Sequence, residues 1–178
     1  MAILEILTIP DVRLKYKSVE VKKIDKELLK LIDDMYETLY ETGNGIGLAA
    51  PQVNVRKRVV VIDIKENEKS NKLTMINPKI LKKSKEQSIH EEGCLSIPEY
   101  YAEVKRSKFI EYEFTNTKGE KTKSNADGLL SICIQHELDH LNGVLFIDHI
   151  SSLKRKLAME KFKKIKQKNK NQKFNKNE

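Results

Sequence analysis

The sequence predicts an α+β fold, with antiparallel strands packed around one central helix, a second helix near the N-terminus and a basic helix and tail at the C-terminus. Three observations predict it. Two stretches carry apolar residues at helical spacing, short β-branched or alternating segments lie between them, and no repeat recurs along the 178 residues.

Taken in order, residues 25 to 42 read as the first helix, with Asp25 as N-cap, an apolar face of Leu28, Leu29, Ile32, Met35, Tyr36 and Leu39, and Gly43 as its stop. Gly43-Asn44-Gly45-Ile46-Gly47 then reads as a loop whose backbone approaches a ligand closely. Arg58 to Ile64 (RVVVIDI) and Thr74 to Asn77 read as buried strands joined by the polar stretch 65 to 72. Tyr100 to Arg106, Phe109 to Phe114 and Lys121 to Ser124 follow as an antiparallel meander, turning at Thr117-Lys118-Gly119-Glu120. The second long helix begins at Asn125 or Ala126, and Asn142-Gly143 ends it. Residues 151 to 166 suit a third helix with Leu153, Leu157, Phe162 and Ile165 on its apolar side, before a Lys/Asn/Gln-rich end that is expected to be disordered.

Composition bounds the function. With 39% hydrophobic and 34% charged residues the chain fits one globular domain plus a tail. No apolar run reaches membrane-spanning length and Met1 to Pro10 (MAILEILTIP) lacks a signal-peptide pattern, so a soluble, cytoplasmic protein without membrane contact is expected. Residues 151 to 178 hold ten Lys and one Arg against two Glu, a net of +9 out of the chain's +8, so residues 1 to 150 come to −1. A fold-wide nucleic-acid surface, and DNA as a partner, are therefore not expected; any electrostatic partner meets the tail. Two cysteines make a disulfide framework improbable and leave a thiolate for other chemistry. Cys133 has apolar neighbours and suits the core, whereas Cys94 sits among polar and turn-forming residues.

The chemistry is concentrated on the second helix, where Gln135-His136-Glu137-Leu138-Asp139-His140 contains H-E-x-x-H. Residues four apart share a helix face, so both imidazoles reach one metal and Glu137 is left beside it, able to take a proton from a metal-bound water and deliver it to a leaving nitrogen. A hydrolytic centre needs a third protein ligand, and the 38 residues after His140 are dominated by Lys and Asn. Upstream, the thiol of Cys94 beside Gly93 is the better candidate. His90 and His149 have no partner at ligand spacing and read as ordinary satisfied histidines. Besides a hydrolase, a zinc endopeptidase using H-E-x-x-H and a small RNA- or ribosome-binding protein with a structural metal remain open. The first lacks a downstream ligand and the second a fourth ligand.

Gly45-Ile46-Gly47-Leu48-Ala49-Ala50-Pro51-Gln52, Glu92-Gly93-Cys94-Leu95-Ser96 and Gln135 to His140 together resemble the three motifs of bacterial peptide deformylases, in family order and over roughly Pro10 to Ile150. The resemblance implies a metal-dependent hydrolase in residues 1 to 150 that removes the formyl group from formyl-methionyl nascent polypeptides and releases formate. It implies that Cys94, His136 and His140 hold one divalent ion, Fe²⁺ first and Zn²⁺, Ni²⁺ or Co²⁺ as substitutes, a range that suits thiolate and imidazole. Metal-bound water or hydroxide would attack the formyl carbon with Glu137 as base and acid. The Gln52 amide and the Leu95 backbone N–H would meet the oxyanion. Leu129, Ile132 and Cys133, closed by Ile46, would form the methionine slot, and Gly45, Ile46 and Gly47 would present backbone to the extended substrate. Two positions depart from many members: His90 stands where an aliphatic residue is common, and Tyr101 where arginine is. The lysine-rich segment 151 to 178 would meet ribosomal RNA through its charge, as the alternative to a merely solvated end.

Overall fold

The computed structural model describes residues 2–65 and 69–174, with side chains as far as Lys164. Three helices, α1 (Lys26–Glu41), α2 (Gly128–Leu141) and α3 (Ser152–Phe174), accompany seven strands. These are β1 (Gly47–Ala49), β2 (Val59–Asp63), β3 (Lys72–Lys83), β4 (Gln87–Cys94), β5 (Ile97–Ser107), β6 (Ile110–Thr115) and β7 (Lys121–Ala126). One antiparallel sheet runs β1-β2-β3-β6-β7, and β4-β5 forms a separate two-stranded sheet.

The run RVVVIDI explains how two helices share the larger sheet. Side chains alternate across a strand, so Val59 and Val61 join Leu28, Ile32, Met35 and Leu39 of α1 on one face. Val60 and Ile62 join Ile134, Leu138 and Leu141 of α2 on the other. Every residue of β2 is buried, as a strand covered on both faces must be. A third apolar cluster gathers Leu7, Ile9 and Leu14 with Ile97, Val104, Phe146 and Phe162. Asp25 caps α1 as the sequence predicts, its carboxylate accepting from Leu28 N at 2.9 Å.

The elements differ from the sequence reading at several places. The strand expected to end at Asn77 continues to Lys83, because Asn77 takes φ 50° and, with Pro78, forms an irregularity in the β3–β6 register rather than a stop. Its amide grips Val21, Oδ1 accepting from Val21 N and Nδ2 donating to Val21 O, both at 2.8 Å. Helix α2 starts later than Asn125 or Ala126, since Ile110 pairs with Ala126 and holds the backbone extended to that point. Strand β4 lies where only turn-forming polar residues stand out in the sequence. Helix α3 runs on to Phe174 instead of ending at 166, and only 175–178 of the expected disordered end lie outside the described residues. Ile165's place on its apolar side lies beyond the described side chains, and Leu153 and Leu157 face solvent while Ala158 and Phe162 pack inward.

Gly143 ends α2 at φ 73°, and a Cβ there would overlap the Lys15 carbonyl oxygen. The N-terminal segment thus lies against the helix end, with Ser18 N donating to Leu141 O at 2.9 Å. Gly143→Ala is expected to cost more than about 2 kcal/mol, combining left-handed strain with a backbone overlap. Urea unfolding of the variant beside the parent protein measures it.

Candidate metal centre and active site

Helix α2 is buried on nearly all sides from Ser131 to Leu138, so its polar side chains are there because they have partners. His136 and His140 project one turn apart, their ring centroids 5.0 Å from each other. Cys94, at the end of β4, completes a cluster in which the Sγ and one nitrogen of each ring all lie within 4.8 Å. Cys94 Sγ and His140 Nε2 are 3.2 Å apart. Burial alone would push the Cys94 thiol up, but the two imidazoles outweigh it and draw the thiol down to about 5.

Behind the cluster stands a network that orients it. His136 Nδ1 lies 2.9 Å from Glu92 Oε2; a carboxylate only accepts, so the ring donates from Nδ1 and turns Nε2 toward the cluster. Arg106 donates to both Glu92 oxygens, Nε to Oε1 at 2.8 Å and Nη2 to Oε2 at 3.0 Å. Burial would raise the Glu92 carboxyl, yet Arg106 and then His136 overcome it and hold it down at about 2. Phe146 stacks on the His136 ring at 6.1 Å.

Glu137 faces the other way, against β1. A Cβ at residue 47 would fall 2.6 Å from Glu137 Oε1 and 2.9 Å from Cys133 Sγ, so only glycine lets this backbone come so close. Glu137 Oε2 is buried without a hydrogen-bond partner among the described residues, as suits a carboxylate that serves a water or substrate atom. Burial is the chief influence on this carboxyl and pushes it above its ordinary value, against the opposing pull of the two histidines. Gln52 is fixed by accepting from Ala49 N at 2.8 Å, while its Nε2 donates to Ser96 Oγ at 3.1 Å and lies 3.7 Å from Cys94 Sγ.

A cavity of about 790 Å³ opens beside these groups. Gly45, Ile46 and Gly47 line one side; Leu95 follows Cys94 along it; Ile132 and Cys133 are buried in its wall and Leu129, 50% exposed, stands at its rim. His90 and Tyr101 also line it, the Tyr101 ring lying on Gly93, where a Cβ would be 2.5 Å from the ring. The residues that the sequence singles out therefore converge on one cluster and one cavity. Sequence reasoning gives no role to Glu92, Arg106 or Asp139. Their one signal is the spacing of Glu92 and Cys94, which puts both on one face of a strand.

A thiolate and two imidazoles with a buried carboxylate alongside define the class: an α+β protein with a three-donor centre of the kind that metal hydrolases use. The donors fit a first-row divalent ion such as iron, nickel, cobalt or zinc. The chain belongs to the polypeptide deformylase family, whose model matches residues 3–156, and it is an enzyme of that family. It is 49% identical to peptide deformylase of Rhizobium meliloti over 165 residues, covering 92% of this chain and 94% of that protein. With that of Buchnera aphidicola it shares 50% over 170 residues, 96% of each. The crystal structure of peptide deformylase from Ehrlichia chaffeensis superposes with a TM-score of 0.90 at 39% identity, covering 94% of this chain and 99% of that one. The same protein in complex with actinonin gives 0.88 at 41%, covering 92% and 98%. The family match favours the hydrolase among the three functions the sequence leaves open.

Glu92→Gln is expected to cost the metal-free protein about 3 kcal/mol at pH 7, since a carboxyl held that low stabilises the fold by about that much. The contribution is complete above the ordinary glutamate value near 4.5 and is lost as pH falls from there toward 2. Urea unfolding at pH 7 and pH 3 checks it: the gap between variant and parent should narrow at the lower pH.

Proposed function

We propose that this chain hydrolyses the N-terminal formyl group of formyl-methionyl nascent polypeptides in the cytoplasm and releases formate. The observation that carries the reading is the buried Glu137 carboxylate, one oxygen of which has no hydrogen-bond partner among the described residues, beside the Cys94/His136/His140 cluster and inside the motif-bearing body that matches the deformylase family.

Cys94, His136 and His140 would hold one divalent ion, Fe²⁺ in our reading, with Zn²⁺, Ni²⁺ or Co²⁺ able to replace it. When bound, such an ion supplies Lewis-acid polarisation and makes a water acidic enough to ionise near neutral pH. Glu137 takes the proton from the attacking water and gives it to the amine nitrogen as the C–N bond breaks. The Gln52 amide and the Leu95 backbone N–H stabilise the negative charge that develops on the formyl oxygen. Ile132, Cys133 and Leu129, with Ile46 opposite, receive the methionine side chain. Among the described residues strand β1 pairs only with β2, so Gly45 to Gly47 border a sheet edge open to an extended peptide. Recognition through backbone suits an enzyme that accepts many residues after methionine.

Helix α3 is the proposed contact with ribosomal RNA. Residues 151–178 carry the net +9, and among the described residues no helix is long and apolar enough to cross a membrane. Ala158 and Phe162 anchor the helix to the body, so its charge is better tested by substitution than by truncation.

Two outcomes are expected. Glu137→Gln should still bind one equivalent of metal while formate release from a formyl-Met peptide falls by about 10²–10⁴-fold; near-normal turnover would remove Glu137 from its role. Replacing Lys163, Lys164, Lys166, Lys168 and Lys170 with Gln should weaken ribosome binding and flatten its salt dependence, by about one unit of slope for each phosphate no longer neutralised. Sedimentation with ribosomes across a salt series reads this, and an unchanged slope would dismiss the RNA contact.

A further inference from the structure

The network behind His136 does not stop at Arg106. The third guanidinium nitrogen, Nη1, donates to Asp139 Oδ2 at 2.5 Å, and the same oxygen lies 2.8 Å from His149 Nε2. His149 Nε2 also comes within 3.5 Å of Arg106 Nη1, two donors brought together by the one Asp139 oxygen that accepts from both. Exposure rises along it: the Arg106 side chain is 5% exposed, Asp139 23% and His149 37%. His149 follows the 3-10 turn Phe146–Asp148, which is held at both ends. Phe146 lies on the His136 ring, and Asp148 accepts from Leu145 N at 2.8 Å and pairs with Arg155 of α3 at 3.2 Å and with Lys15.

We propose that His149 is a positioning residue for the metal centre. It keeps the Asp139 carboxylate seated on Arg106, which keeps the guanidinium fork flat on Glu92 and so fixes the ring of His136. The inference rests on the reading of Cys94, His136 and His140 as metal ligands. Asp139 is partly open to water; with His149 removed, its shared oxygen has one protein partner and a competing solvent, and Arg106 loses the outer of its two carboxylates as a fixed support. Among the described residues Arg106 holds the only fork on Glu92, and Glu92 is the only acceptor for His136 Nδ1, so movement passes to the ligand ring. Histidine is apt at this place because a ring nitrogen donates to Asp139 from a turn that is itself tied to His136 through Phe146. Removing a partner bonded directly to a ligand weakens metal binding about 10–100-fold, and His149 acts three links further out, so an effect of about fivefold is expected.

The test uses the full-length protein loaded with Co²⁺ and challenged with excess EDTA, following the visible cobalt bands. His149→Ala should release the metal about fivefold faster than the parent and shift the bands, while His149→Gln, which retains an N–H donor, should bring the rate back to within about twofold. Asp139→Asn, which keeps the shape and removes the charge, should also speed release and serves if His149→Ala does not fold. Parental release rates in His149→Ala and Asp139→Asn, or equal acceleration in His149→Ala and His149→Gln, would overturn the proposal. A parent protein that takes up no equivalent of Co²⁺ would overturn the ligand assignment itself, a result distinct from either.

Discussion

The buried carboxylate of Glu92 is the constraint on which the site depends. Its oxygens receive a guanidinium from β5 and an imidazole from α2, so a single side chain of β4 locks three elements together. Two charges taken from water cost several kcal/mol each unless they are paired with good geometry, and the two-point contact with Arg106 supplies that geometry. The small sheet cannot slide along α2 without leaving a charge unpaired. Cys94 stands two residues beyond Glu92 on the same strand, and the docking that satisfies Glu92 therefore brings the thiol to His140.

The larger sheet holds the other side of the centre. Strand β2 is covered by α1 on one face and α2 on the other, which fixes the distance between α2 and the strand edge at β1. Gly47 completes that approach by offering no side chain, and Glu137 is buried behind it. The Cys94/His136/His140 cluster is thus oriented by polar contacts from the small sheet, and the Glu137 carboxylate is enclosed by backbone from the large one. On the proposed function, the two sheets divide the work between metal geometry and proton transfer.

Much of this is readable in the sequence because it rests on local periodicity. The H-E-x-x-H helix, the capped α1, the VVV core of β2 and the Thr117-Lys118-Gly119-Glu120 turn between β6 and β7 each declare themselves within a few residues. The remainder depends on partners distant in sequence. Strand β4 reads QSIHEEGC, polar because Glu92 faces Arg106 fourteen residues on, and no hydrophobic alternation marks it. Asn77 and Pro78 read as a strand end, and only the grip on Val21 reveals that the strand continues. His149 reads as an ordinary satisfied histidine, and only the fold shows that its partner is Asp139. Residue types single out the candidate donors Cys94, His136 and His140, but the network that aims them becomes visible only with tertiary contacts.

Helix α3 has one more geometric consequence. Ala158 and Phe162 fasten it to the body, and Lys161 Nζ reaches the backbone oxygen of Glu99, a residue of the cavity wall, at 3.4 Å. The first turns of the basic helix therefore lie beside the wall of the cavity. Any polyanion that holds α3 also sets the height and orientation of that mouth above its own surface. A chain end emerging from such a surface meets the opening at the effective concentration of a tethered reactant, which rises as the gap it must cross shortens.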